Sequence, residues 1–167
     1  MASFDLFLKM SEELCCIPGY YLMGTGFGSV YYDRVLTTVG EDTLTRLLAV
    51  FAGLPTCCQT AREAAIDADL FGHAEFGPVV RNTMKLWFVA TWFPLPDAWL
   101  NSYKVYGDNT LSIPTPYAYT ESLLGPAVGA HPAGAKPTGH QSWISAPDYL
   151  PFAKAMAPLQ CANADHQ

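Results

Sequence analysis

The chain has 167 residues, of which 50% are hydrophobic and only 14% charged, with a net charge of −6. That length suffices for one domain with its own core, and an acidic balance without any Lys/Arg run argues against nucleic-acid binding, which depends on neutralising phosphates. The charged share is well below the usual ~25%. So few polar groups cover a monomer poorly, which favours a large permanent interface.

Taken in order, Ser3 is placed to cap a first helix running to about Cys16, with Phe7, Met10, Leu14 and Ile17 as one apolar stripe. Pro18-Gly19 should end it. A linker, YYLMGTGFG, leads to a second helix capped by Ser29, carrying Tyr31 and Val35 and stopped by Gly40. Asp42 starts a third, whose face is Leu44, Leu47, Leu48 and Phe51, before Gly53 and Pro55. The fourth runs from about Cys57 to Leu70, with Ala61, Ala64, Ala65 and Ala68 on one side, small enough for a neighbouring helix to approach closely. Pro78 suits the first turn of a fifth helix that Pro94 closes. On it Val80, Met84, Trp87 and Thr91 make one stripe, while Phe88, Trp92 and Phe93 lie largely off it, so this helix should be central or packed on two sides. No segment alternates convincingly at period two. The fold class is all-α, a small bundle of about five to six helices.

Near Asp108 the composition shifts from charge to proline. Residues 1–111 read as the bundle, and 112–167 as one short helix followed by a Pro/Gly-rich extended arm, within one domain. The arm carries Trp143 and Tyr149 and is too apolar for a solvated tail. Isolated aromatics on proline-rich arms are typical interface anchors, so Trp143 is the leading candidate. No membrane span is expected: the uncharged run Leu14 to Tyr32 contains Pro18 and four glycines, and Leu86 to Pro96 is too short. The opening MASFDLFLKMSEEL shows no targeting segment, which fits a cytoplasmic protein as well as one whose signal has been removed.

Candidate chemistry is sparse. Gly24, Gly26 and Gly28 do not complete a dinucleotide fingerprint, because Ser29 stands where its third glycine is required and no strand precedes it. His73 and Glu75 are two potential metal ligands without a third, and a polar loop accounts for them better. Trp87, Trp92 and Trp99 fit a packed core better than an aromatic cage. His131 and His140 sit beside Pro or Gly in the arm, facing partner or solvent. Nucleophile-elbow, zinc-protease and haem-attachment motifs are absent from the sequence. Cys15, Cys16, Cys57 and Cys58 form two vicinal pairs without CxxC spacing. They read as buried thiols, or, in an oxidising compartment, as a candidate disulfide between one member of each pair.

Four segments together carry a family resemblance: FDLFLKMSEEL, VVRNTMKLWFVATWF, YAYTESLLGPAVGAHPAGAKPTGHQSW and SAPDYLP. In this order they resemble the small (gamma) subunits of bacterial membrane-bound FAD-dependent sugar and polyol dehydrogenase complexes, which serve sorbitol, gluconate, fructose and glucose dehydrogenases. The most specific part is Tyr119 to Pro147. The resemblance implies a non-catalytic subunit without a cofactor of its own, which supports folding, cofactor loading or export of a large FAD-containing subunit of the GMC type. A cytochrome c subunit carrying haem would complete the assembly. It also implies a periplasmic location, although the twin-arginine signal common in the family is not found here. The candidate partner-binding residues are Tyr119, His131, Pro132, His140, Trp143, Pro147 and Tyr149. The competing expectation is a stand-alone ligand-binding protein or enzyme built on the aromatic helix and His73/Glu75, or a self-associating structural protein.

Overall fold

The computed structural model describes residues 3–130. It contains α1 (Ser3–Cys15), α2 (Gly19–Gly24), α3 (Gly28–Val39), α4 (Glu41–Ala52) and α5 (Gln59–Ala65), which runs straight into a π-helical turn, Ile66–Phe71. Then come α6 (Phe76–Val89), α7 (Asp97–Tyr103), a 3-10 helix at Pro116–Glu121 and the single turn α8 (Leu124–Ala127). The fold is all-α. Among the described residues the β-structure is one isolated antiparallel bridge, Trp92 to Ser112.

The apolar stripes build the core as their spacing predicts. Phe7, Met10, Leu14 and Ile17 are buried, as are Leu44, Leu47, Leu48 and Phe51 of α4, and α1 packs on both α4 and α6. Helix α6 is central, burying Phe76, Val79, Val80, Thr83, Leu86 and Trp87. Tyr31 of α3 meets the Trp87 ring edge-on at 4.9 Å. Gly40 serves two helices with φ 82°, a backbone conformation L side chains rarely adopt. Its N–H closes α3 on the Leu36 carbonyl at 2.9 Å, and its own carbonyl accepts the Leu44 N–H at 3.2 Å.

Several boundaries differ from the expected ones. α1 ends at Cys15, before Pro18-Gly19: Cys16 turns left-handed at φ 53°. The Ile17 N–H then reaches back to the Glu12 carbonyl at 3.1 Å, so backbone closure ends this helix. The expected linker contains α2, which buries Leu22 and exposes Tyr20 and Met23. α3 starts at Gly28 with no side-chain cap, so Ser29 lies inside its first turn. α6 stops at Val89 because Ala90 adopts φ 53°, and the chain is already out of the helix when it reaches Pro94.

Of the alanine side of the fourth predicted helix, only Ala65 packs against the core. Ala61, Ala64 and Ala68 are exposed. The inward position belongs to Arg62, whose guanidinium lies 5.2 Å from the Phe51 ring centre. It donates to both carboxylate oxygens of Glu13 at 2.6 and 2.8 Å and to the Pro55 carbonyl at 3.0 Å. A charged side chain thus fills the interface that small residues were expected to make.

After α7 the chain packs back over the bundle. Arg34 of α3 donates to the Asp108 carboxylate and to the Thr110 carbonyl, each at 2.9 Å, and its guanidinium lies 5.7 Å from the Trp92 ring centre. Thr38 donates its hydroxyl to the Asp108 carbonyl at 2.9 Å. Gly107 sits so close to α3 that an added Cβ would run into the carbonyls of Thr37 and Thr38. Further on, Ala118 and Leu123 are fully buried.

Gly107→Ala is therefore expected to destabilise by about 1–3 kcal/mol through overpacking against backbone that cannot give way, read as a lowered thermal midpoint. Hydrogen bonds from Arg34 and Thr110 hold the Asp108 carboxyl down to about 2. Since the folded value lies below the ordinary one near 4, the stabilisation is complete above about pH 4 and is lost as pH falls toward 2. Denaturant melts of wild type and Asp108→Asn should differ at pH 7 and converge toward pH 2. A gap that does not depend on pH would contradict this account.

Candidate functional site

The residues following α6 and α7 form a small two-stranded ribbon. Trp92 and Ser112 exchange both backbone hydrogen bonds, at 2.8 and 3.2 Å. Asn109 lengthens the pairing with its side chain: its amide oxygen accepts the Leu95 N–H at 2.8 Å and its amide nitrogen donates to the Leu95 carbonyl at 2.9 Å. Because side chains alternate across a strand, Trp92 and Ser112 face the core while Phe93, Leu111 and Ile113 share the outer face. Trp92 is fully buried, whereas Leu111 is 63%, Ile113 60% and Phe93 38% exposed. Phe93 stands across from Leu111, close enough for side-chain contact, and the Lys85 ammonium lies 4.8 Å from the Phe93 ring centre.

The exposed apolar surface continues along the same stretch of chain. Tyr106, Tyr117, Leu124 and Val128 are all open to solvent. Of the expected partner-binding residues, Tyr119 lies on the 3-10 helix and is 47% exposed. His131, Pro132, His140, Trp143, Pro147 and Tyr149 lie outside the described residues. Sequence reasoning missed Phe93, Leu111 and Ile113. The signal was the short alternation Thr110-Leu111-Ser112-Ile113, in which the polar residue turns inward and the apolar ones turn out.

His73 and Glu75 have structural partners. The Nδ1 of His73 accepts the backbone N–H groups of Glu75 and Phe76 at 3.2 and 3.4 Å, and its ring stacks on Phe76 at 4.3 Å. The imidazole therefore serves the uncapped start of α6. The buried Glu75 carboxylate pairs with Arg46 of α4, and the Glu75 carbonyl accepts the Trp99 indole N–H at 2.9 Å. Trp87, Trp92 and Trp99 are all core residues. No group of three or more metal-ligating side chains occurs among the described residues. A groove of about 450 Å³ lies between the α3–α4 turn and residues 103–107, lined by Glu41, Asp42, Arg46, Lys104 and Tyr106 among others. It brings none of the expected site residues together.

Among the described residues, no disulfide joins the vicinal cysteine pairs, and the Glu13–Arg62 ion pair ties α1 to α5. No helix of the described chain is long and apolar enough to cross a membrane. No protein-family model, curated protein or solved structure matches the chain.

Burial, with Cys16 alongside, pushes the Cys15 thiol up to about 12, whereas Cys16 and Cys57 are exposed. Alkylation of the native protein followed by peptide mapping should label Cys16 and Cys57 readily and Cys15 more than about tenfold more slowly, because Cys15 reacts only after local opening. The same burial makes stability fall as pH rises from about 9 toward 12, since the unfolded thiol ionises there and the folded one does not. Equal labelling of Cys15 and Cys16 would refute the placement of Cys15 in the core.

Proposed function

We propose that this chain is the non-catalytic small subunit of an FAD-dependent sugar or alcohol dehydrogenase complex, periplasmic in location. It binds a large flavin-containing subunit of the GMC type and supports that subunit's folding, maturation or export. FAD belongs to the large subunit, and haem to a cytochrome c subunit of the same assembly. The ordered resemblance of four segments supplies the family. The observation that carries the docking role is the outward apolar face of Phe93, Leu111 and Ile113 on the ribbon, all exposed. Exposed apolar side chains gathered on one face favour an interaction site, and a permanent companion needs an interface on the order of 2,000 Å² or more.

The potential reactive groups add support from the opposite direction. His73 and Glu75 hold α4, α6 and α7 together, and the tryptophans fill the core. The side chains that most resemble chemistry are thus committed to the fold, while the apolar side chains that look like packing stand outside it.

The test is co-expression of the tagged chain with a candidate large flavoprotein subunit of the GMC type. A stoichiometric complex with flavin absorbance and sugar- or polyol-oxidising activity is expected. Leu111→Asp with Ile113→Asp, and separately Trp143→Ala, should each weaken association by about 2–4 kcal/mol while leaving the circular dichroism of the small subunit unchanged. A monodisperse monomer or self-contained homo-oligomer that ignores the flavoprotein would overturn the reading, as would bound flavin or metal in the lone chain.

A further inference from the structure

The groove between the α3–α4 turn and residues 103–107 gathers opposite charges that do not meet. Its volume of about 450 Å³ falls within the range of small-molecule sites. Glu41 and Asp42 stand on one wall, with Arg46 one turn further along α4, and Lys104 stands on the other. No ion pair joins Glu41, Asp42 or Lys104 to another described residue. Asp42 precedes Arg46 by four residues, a spacing that normally pairs two such side chains. Here Arg46 turns to Glu75 instead. Its Nη2 donates to the Glu75 carboxylate and, at 3.3 Å, to the Thr43 hydroxyl oxygen. Both bonds use one nitrogen, so Nη1 and Nε of this guanidinium keep no partner among the described residues.

The backbone keeps the two walls apart. Lys104 ends α7 at φ 52° and ψ 42°, its N–H closing on the Leu100 carbonyl. Glycine is the usual residue at such a left-handed stop. Three residues on, Gly107 lies hard against the Thr37 and Thr38 carbonyls, and the Thr38 hydroxyl donates to the Asp108 carbonyl at 2.9 Å. The stretch that carries Lys104 is therefore fixed to α3, while the carboxylates are fixed to the first turn of α4.

This charge pattern selects a ligand. A plain anion would meet two carboxylates, and a plain cation would meet Arg46 and Lys104. An apolar molecule would strip water from all four charges without replacing it. We infer that the groove binds a small zwitterion, its ammonium on Glu41 and Asp42 and its carboxylate on Lys104 and the free edge of Arg46. The rise of α4 sets the scale, since four residues span about 6 Å along its axis. That is close to the distance between the charged ends of an extended dipeptide, whose two Cα atoms are about 3.8 Å apart. Tyr106, 87% exposed and lining the same groove, offers its ring to a side chain of such a ligand. The inference does not need the companion-subunit reading, because none of these residues belongs to the face of Phe93, Leu111 and Ile113.

The experiment is a titration of the isotope-labelled full-length chain with L-alanyl-L-alanine, followed through backbone amide shifts by NMR. Saturable shifts centred on residues 40–46 and 103–107 are expected, with a Kd on the order of 1 mM or tighter. The N-acetylated dipeptide keeps only the carboxylate, and the dipeptide amide keeps only the ammonium. Each should bind about tenfold more weakly, having lost one charge pair. Lys104→Gly removes the groove's ammonium and suits the left-handed turn, so the thermal midpoint should not fall while the preference for dipeptide over dipeptide amide disappears. Asp42→Asn leaves that turn untouched and should remove the preference over the acetylated form instead. Absence of a saturable shift at these residues would overturn the inference. So would equal binding of the dipeptide and its two blocked forms, tighter binding of maltose as a neutral polyhydroxylated probe, or preferences that survive both substitutions. No flavoprotein enters the measurement, so its result and the formation of the complex are decided separately.

Discussion

The guanidinium of Arg34 is the joint on which the second half of the described chain is hung. One nitrogen holds the Asp108 carboxylate, another holds the Thr110 carbonyl, and the plane lies against Trp92. The arginine side chain is only 11% exposed while the aspartate is 52% exposed, so the guanidinium is held by the fold and the carboxylate reaches it from the solvent side. Remove them and residues 108–110 keep on α3 only the Thr38 hydroxyl on the Asp108 carbonyl, with Asn109 still paired to Leu95. The ribbon, and with it the outward face of Leu111 and Ile113, exists because a charge on one helix can satisfy a loop, an aspartate and an aromatic face at once. Arg suits this better than Lys, whose ammonium lacks the planar fork.

Glu75 plays the matching part at the other end of α6. Its carboxylate pairs with Arg46 on α4, its carbonyl with Trp99 on α7, and its N–H with His73. A buried carboxylate beside a histidine is the arrangement from which general acid–base sites are made. Here the imidazole serves the helix start and the carboxylate serves the Arg46 guanidinium. Two residues apart at a helix start, an imidazole is a capping group before it is a ligand, because the first N–H groups of the helix have no internal partner.

How much of this could be read from the chain depended on the range of the interaction. α1 and α4 were legible because their stripes, Phe7-Met10-Leu14 and Leu44-Leu47-Leu48-Phe51, record burial directly as spacing. α2 and α7 were not. Each spans fewer than two turns of strong periodicity and is held by distant partners, as Trp99 is by Glu75. The alanines of α5 misled because small size permits close packing without demanding it, and Arg62 took the interface through contacts with Glu13, Pro55 and Phe51. Pro94 was a sound stop signal placed too late, since Ala90 had already left the helix.

The outward apolar face was the hardest to read because it inverts the usual rule. In Thr110-Leu111-Ser112-Ile113 the alternation is present, but the ladder to Trp92 points Ser112 inward and both aliphatic residues out. Sequence alone assigns apolar alternation to a core; only the bridge says which side the core is on. Once that is known, the low charge content acquires a location. A chain with 14% charged residues must leave apolar atoms at its surface somewhere, and among the described residues many of its exposed large ones fall between Tyr106 and Val128. Scattered, such residues would mean little. Gathered on one ribbon whose register is set by Arg34 and Asn109, Leu111 and Ile113 are held at the surface by the backbone and not by their own burial.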